Sequence, residues 1–116
     1  MSTYAELDWS GVPELGSRAE AFGFNYRWLP VPDQGTCSLS EAADLVGWCR
    51  DGLQRGESVV VTCMGGLGRS GMIAACTLID AGLSPTAAIA TVRAARGPRA
   101  IETSGQEELV SRFAAR

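Results

Sequence analysis

Apolar positions in this chain fall into two patterns, stripes of helical spacing and short continuous runs, and their order predicts an α/β domain. Helical spacing is clearest at Leu39, Ala42, Ala43, Val46, Cys49 and Leu53, a stripe capped by Ser38 or Ser40 and running to about Arg55, with Gly56 ending the helix. The run Met72 to Ile79 is apolar nearly all round, which predicts a buried helix that opens near Ser70 and stops at Gly82. Leu83 to Arg96 forms the next helix, with Ser84 as its cap, Pro85 in its first position and Gly97-Pro98 as its terminator. A last short helix spans Gln106 to Ala115 around Leu109, Val110 and Phe113. Asn25 to Val31 mixes aromatic and branched residues as a strand does, and the β-branched run Val59-Val60-Val61-Thr62 reads as a buried parallel strand.

The second strand and the buried helix are joined by a glycine-rich loop, and the whole segment Val59 to Gly71 reads VVVTCMGGLGRSG. Gly65, Gly66 and Gly68 give the backbone dihedrals closed to other residues and let its N–H groups converge. Convergence at a helix N-terminus creates a site for a dianion, and Arg69 adds a planar fork matched to two phosphate oxygens. The same field favours a thiolate at Cys63, and Ser70 can donate its hydroxyl to that sulfur as it leaves. Read from residues alone, this is a phosphate-binding loop with a nucleophile at its start.

The Cys-x5-Arg-Ser pattern from Cys63 to Ser70 resembles that of the cysteine-dependent protein phosphatases. Beyond the loop, LSPTAAIATVRAARGPRAIETSGQEELVSRF is similar to the dual-specificity subgroup that includes the cyclin-dependent-kinase-associated phosphatase, with Ala100-Ile101-Glu102-Thr103-Ser104-Gly105-Gln106 matching its Ala-Ile-x-Thr-x-x-Gln segment. Upstream, LPVPDQGTCS resembles the loop that carries the general acid of that family, which makes Asp33 the candidate. The resemblance implies a phosphotyrosine-phosphatase-like fold: a central, mostly parallel sheet flanked by helices, here short at its N-terminus. It also implies a mechanism. Cys63 attacks phosphorus, while Arg69 and the backbone of Met64, Gly65, Gly66, Leu67 and Gly68 hold the equatorial oxygens. Asp33 protonates the leaving oxygen and then activates the water that hydrolyses the phosphocysteine, with Gln106 orienting that water. The expected substrate is a phosphorylated protein, on phosphotyrosine or phosphoserine/threonine. The loop lacks the extra basic residues typical of lipid-phosphate enzymes.

Competing readings of the loop are weaker. Gly66-x-Gly68-x-x-Gly71 satisfies a dinucleotide fingerprint, but no acidic residue closes a second strand about twenty residues on. A Walker loop needs lysine, and the chain has none. A rhodanese-like sulfur transferase usually has one fewer residue between Cys and Arg. A purely structural cysteine leaves the Arg-Ser placement unexplained. One departure from the family pattern falls inside the motif, where Thr62 occupies the position that usually holds histidine, and the chain contains no histidine. The alternative function is therefore a catalytically weak or inactive module that binds phosphorylated partners.

Composition narrows the remaining classes. One domain, 1–116, is expected, near the size at which a single core becomes viable. Net charge is −3 with arginine as the only basic residue type, which argues against a broad cationic face for nucleic acid or anionic membrane. Cys37, Cys49, Cys63 and Cys76 are spaced too widely for paired metal ligands, so no metal or other cofactor is expected, and Cys49 and Cys76 read as core residues. With no apolar leader or long apolar run, the expected location is cytoplasmic.

Tyr4 to Gly23 resembles the loop and helix that precede the acid-loop strand in the family, with Gly11-Val12-Pro13-Glu14-Leu15 as a turn into a helix. The two strands found here are not neighbours in the family's sheet. Either the chain is abbreviated and rearranged, or a homo-oligomer or separate partner chain completes the sheet, or Tyr4 to Trp9 forms a short strand that fills the gap.

Overall fold

The computed structural model describes all residues from Met1 to Arg116 and contains six helices: α1 (Tyr4–Trp9), α2 (Leu15–Ala21), α3 (Leu39–Gln54), α4 (Gly68–Asp80), α5 (Pro85–Arg96) and α6 (Ser104–Ala115). Their starts follow local chemistry. Ser38 accepts a hydrogen bond from the Glu41 amide while the Glu41 side chain reaches back to the Ser38 amide, and Thr3 with Glu6 and Thr103 with Gln106 build the same reciprocal box. Ser84 caps α5 through the Ala87 amide, and Gly97 follows its last turn at φ 113°. The predicted helices are therefore all present, with α4 and α6 each beginning two residues before the expected position.

α4 is the centre of the molecule and packs against α3, α5 and α6. Met72, Ile73, Ala75 and Cys76 are completely buried on it, joined by Val46 of α3, Ala88 of α5 and Val110 and Phe113 of α6. An apolar run without a polar face can be accommodated only in this way, surrounded by other elements. Leu53, expected at the end of the α3 stripe, is instead 49% exposed.

The expected central sheet is absent. Neither predicted strand belongs to a ladder, and residues 24–32 and 57–63 are irregular. The reason lies in what separates them. Met1 is wedged between the two stretches, with its amine donating to the Thr62 carbonyl (2.7 Å) and its carbonyl accepting from the Val31 amide (3.1 Å). Trp28 Nε1 donates to the Ser2 carbonyl at 2.7 Å. From Thr3 onward the chain turns into α1, so the stretch expected as a gap-filling strand, Tyr4 to Trp9, is helical. The two stretches flank an open cleft of about 570 Å³ lined by Phe24, Tyr26, Trp48, Val59, Val60 and Thr62. Val60, predicted to be buried, is accordingly 81% exposed. The fold offers no support for the expected sheet-completing copy or partner chain. No helix is long and apolar enough to cross a membrane.

A side chain does the tying that a sheet would have done. Arg69, at the start of α4, is only 2% exposed. Its Nη1 donates to Glu6 Oε1 (2.6 Å) and to the Val31 carbonyl (2.7 Å), and its Nη2 donates to Glu6 Oε2 (2.8 Å). One guanidinium thus fastens α1 and the irregular 24–32 stretch to the central helix. The Arg69 hydrogen bonds hold the Glu6 carboxyl down at about 2, against an ordinary value of 4.5. A carboxylate held low in the folded state stabilises the fold in full above its unfolded value, and that contribution fades as pH falls towards the folded one. Replacing Glu6 by alanine leaves the guanidinium buried without its counter-charge and is expected to cost about 2–4 kcal/mol, read as a lower urea midpoint at neutral pH. With Glu6→Gln, the gap from wild type should be widest above about pH 5 and shrink as pH falls towards about 2.

Candidate active site

The loop between the irregular 57–63 stretch and α4 sets Cys63 beside the first turn of that helix. Cys63 is half-buried, and its Sγ lies 3.4 Å from Ser70 Oγ. The backbone N–H groups of Ser70, Gly66 and Leu67 also address the sulfur. Burial raises the thiol's pKa, but the Ser70 hydroxyl and these three amides outweigh it, and the net shift is downward. The other thiols move the opposite way. Burial raises Cys37 and Cys49 and pushes Cys76 up to about 12. Of the four thiols, only the cysteine at the head of the glycine-rich loop is shifted towards the thiolate form.

The loop residues serve different ends. Met64 is 44% exposed at the rim, and space around Gly65 is open. Gly66 sits at φ 68°, a left-handed conformation that favours glycine. Gly68 is closely approached, since a Cβ there would stand 2.6 Å from the flexible end of Glu102 and about 3 Å from the buried Gln106 amide group. Leu67 closes the loop, its carbonyl accepting from the amides of Gly71 and Ile101, both at 3.1 Å.

Arg69 has its Nη1–Nη2 end occupied by Glu6, while Nε makes no hydrogen bond within the chain. Asp33 stands nearby, its Oδ1 3.6 Å from Nη2, on a side chain that is 73% exposed. The turn carrying it is closed by the Gly35 amide on the Pro32 carbonyl (2.8 Å), with Gln34 at φ 61°. Gln106 is fully buried: its Oε1 accepts from the amides of Glu102 (2.9 Å) and Thr103 (3.3 Å), and its Nε2 donates to the Gly35 carbonyl (3.1 Å). It thus clasps the Asp33 turn to the start of α6, directly against Gly68.

The structure sets Cys63 beside Ser70 and Arg69 beside Asp33, and ties Gln106 to the turn that carries Asp33. Sequence reasoning missed Glu6, whose local signal, the Thr3-x-x-Glu6 box, fully accounts for it as a helix cap. Nothing within α1 points to a partner 63 residues away. It also missed Arg96, whose Nε donates to the Gly66 carbonyl at 3.2 Å.

Comparison with known proteins identifies the family of the chain. A family model described as Tc-R-P, a polymorphic toxin system DSP-PTPase phosphatase, matches residues 11–83. The chain is 32% identical over 113 residues to cyclin-dependent kinase inhibitor 3 of Rattus norvegicus, covering 96% of this chain and 53% of that protein. It is 38% identical over 103 residues to protein tyrosine phosphatase domain-containing protein 1 of Danio rerio, covering 88% of this chain and 14% of that protein. The chain therefore spans about half, or less, of these curated relatives. Among solved structures, a kinase-associated phosphatase with its catalytic-site cysteine replaced by serine superposes with a TM-score of 0.91 at 29% identity, over 98% of this chain and 65% of that one. Tk-PTP in its active form superposes at 0.84 with 28% identity, over 100% of this chain and 88% of that one. With more than half of its length matched by the family model and the same backbone course as two solved phosphatases, this chain belongs to the DSP-PTPase phosphatase family.

Proposed function

We propose that this protein is a phosphatase that hydrolyses phosphorylated side chains of proteins through a phosphocysteine on Cys63. The observation that carries this reading is the Ser70 hydroxyl 3.4 Å from Cys63 Sγ, on a thiol that its surroundings shift downward, next in the chain to the buried guanidinium of Arg69. A phosphoester seated there has its equatorial oxygens against the loop from Met64 to Gly68 and against Arg69. Sγ attacks phosphorus, and the P–O bond to the side-chain oxygen breaks as Asp33 delivers a proton to it. Water then attacks the phosphocysteine with Asp33 as base, and phosphate departs as the thiolate re-forms with Ser70 donating to it. Gln106 contributes by holding the Asp33 turn against the loop. Its amide is engaged by Gly35, Glu102 and Thr103, so in this reading it orders the site that receives the water.

The relatives' printed names, a cyclin-dependent kinase inhibitor and a kinase-associated phosphatase, favour a phosphoprotein as the substrate class. Binding without turnover is the competing reading. Thr62 favours it, because its side chain makes no hydrogen bond to the loop, whereas its carbonyl is taken by the Met1 amine.

Hydrolysis of p-nitrophenyl phosphate between pH 5 and 8 in reducing buffer separates the two. Cys63→Ser should abolish turnover while vanadate still binds, and wild-type activity should persist below the ordinary thiol value of 9.0, because Cys63 titrates lower than that. Asp33→Ala should slow an alkyl phosphate by about a hundredfold or more, and p-nitrophenyl phosphate, with its good leaving group, much less. Vanadate binding with no hydrolysis by the wild type would establish the binding module instead.

A further inference from the structure

Arg96 is the last residue of α5, turned out of the helix where Gly97 follows at φ 113°. It has no carboxylate partner. Its one recorded bond runs from Nε to the Gly66 carbonyl at 3.2 Å, and its Nη2 lies 2.8 Å from where a Cβ on Gly66 would project. The Gly66 carbonyl belongs to the same planar unit as the Leu67 N–H, and no peptide in the chain is cis, so the two groups point in opposite directions. The Leu67 N–H is among the backbone groups that favour the thiolate form of Cys63.

We propose that Arg96 is a positioning residue for Cys63: by holding the Gly66 carbonyl on the outer side of the loop, it turns the Leu67 N–H inward onto the sulfur. The inference rests on reading Cys63 as the nucleophile and extends it to a residue 33 positions downstream in the sequence. It accounts for how the loop keeps its inward amides with Thr62 where a histidine usually stands. The next peptide unit is restrained similarly, its Leu67 carbonyl fixed by the amides of Gly71 and Ile101. A cation on the outer carbonyl also polarises the peptide and strengthens its N–H as a donor. The other charged groups around the sulfur are Arg69 with its partner Glu6, Asp33 on the acid loop, the Met1 amine on Thr62 and Glu102 beside Gly68. None of these touches the Gly66–Leu67 peptide by hydrogen bond.

The test is the pH dependence of iodoacetamide alkylation at Cys63, followed by peptide mass spectrometry, in wild type, Arg96→Met and Arg96→Lys. Arg96 is exposed, so both variants should keep the wild-type circular dichroism and melting temperature. The methionine keeps the aliphatic stem and removes the donor. Its midpoint should rise by about half to one unit, which slows alkylation at pH 6 by roughly three- to tenfold. Lysine retains a cation and a donor without the planar fork and should recover part of the shift. An unchanged midpoint in Arg96→Met, or one that moves only together with a fallen melting temperature in both variants, overturns the assignment. A wild-type midpoint at the ordinary thiol value overturns the reading of Cys63 as nucleophile instead, so the two failures are distinct.

Discussion

A buried guanidinium is the constraint on which the rest of this fold depends. Arg69 is almost completely removed from water, and a charge so placed is tolerable only if its donors are matched. Glu6 supplies the counter-charge and Val31 a carbonyl, so α1 and the irregular 24–32 stretch must both be docked before the charge is compensated. In a molecule without a hydrogen-bonded sheet, the same compensation holds the peripheral segments on the helical core. It also aims the guanidinium. With one end fixed by Glu6, Nη2 comes within 3.6 Å of Asp33.

The second support of the site comes from the opposite side, the connection between α5 and α6. Ile101 has φ 59°, an uncommon conformation for a β-branched residue, yet it is 2% exposed and its amide is bonded to the Leu67 carbonyl. Gly71 permits this approach, because a Cβ on it would stand 3.2 Å from the Ile101 nitrogen. Arg93 fastens the connection to α5 through the carbonyls of Ala100 and Ile101, and Gln106 fastens it to the Asp33 turn. The glycine-rich loop thus has little freedom of its own. The carbonyls of Gly66 and Leu67 are held from outside by Arg96, Gly71 and Ile101.

Family membership and chemical detail rest on different grounds. The backbone course and the matched residues place the chain among DSP-PTPase phosphatases. Its departures are local: threonine before the cysteine, and no central sheet beside it. Both lie beside residue 62, where the Met1 amine meets the Thr62 carbonyl. The elements that shape the loop, α4 and the α5–α6 connection, are on the other side and are intact.

How much of this was legible in the sequence depends on the range of the interactions involved. Caps at Ser38, Ser84 and Thr103, the terminating Gly97 and the apolar face of α3 act within one or two helical turns, so the order of residues determined these helices almost by itself. The Cys63-to-Ser70 loop was readable for the same reason, since its chemistry is compressed into eight successive residues. The sheet was not readable, because the strand character of Val59 to Thr62 is a preference that only pairing with neighbours can realise, and Tyr4 to Trp9, the stretch expected to pair with it, is helical. Glu6 and Arg96 were invisible in the same way. Each looks locally like a capping or solvated residue, and only the folded chain brings them against Arg69 and Gly66, across 63 and 30 positions, where a buried charge must be matched and a peptide plane must be held.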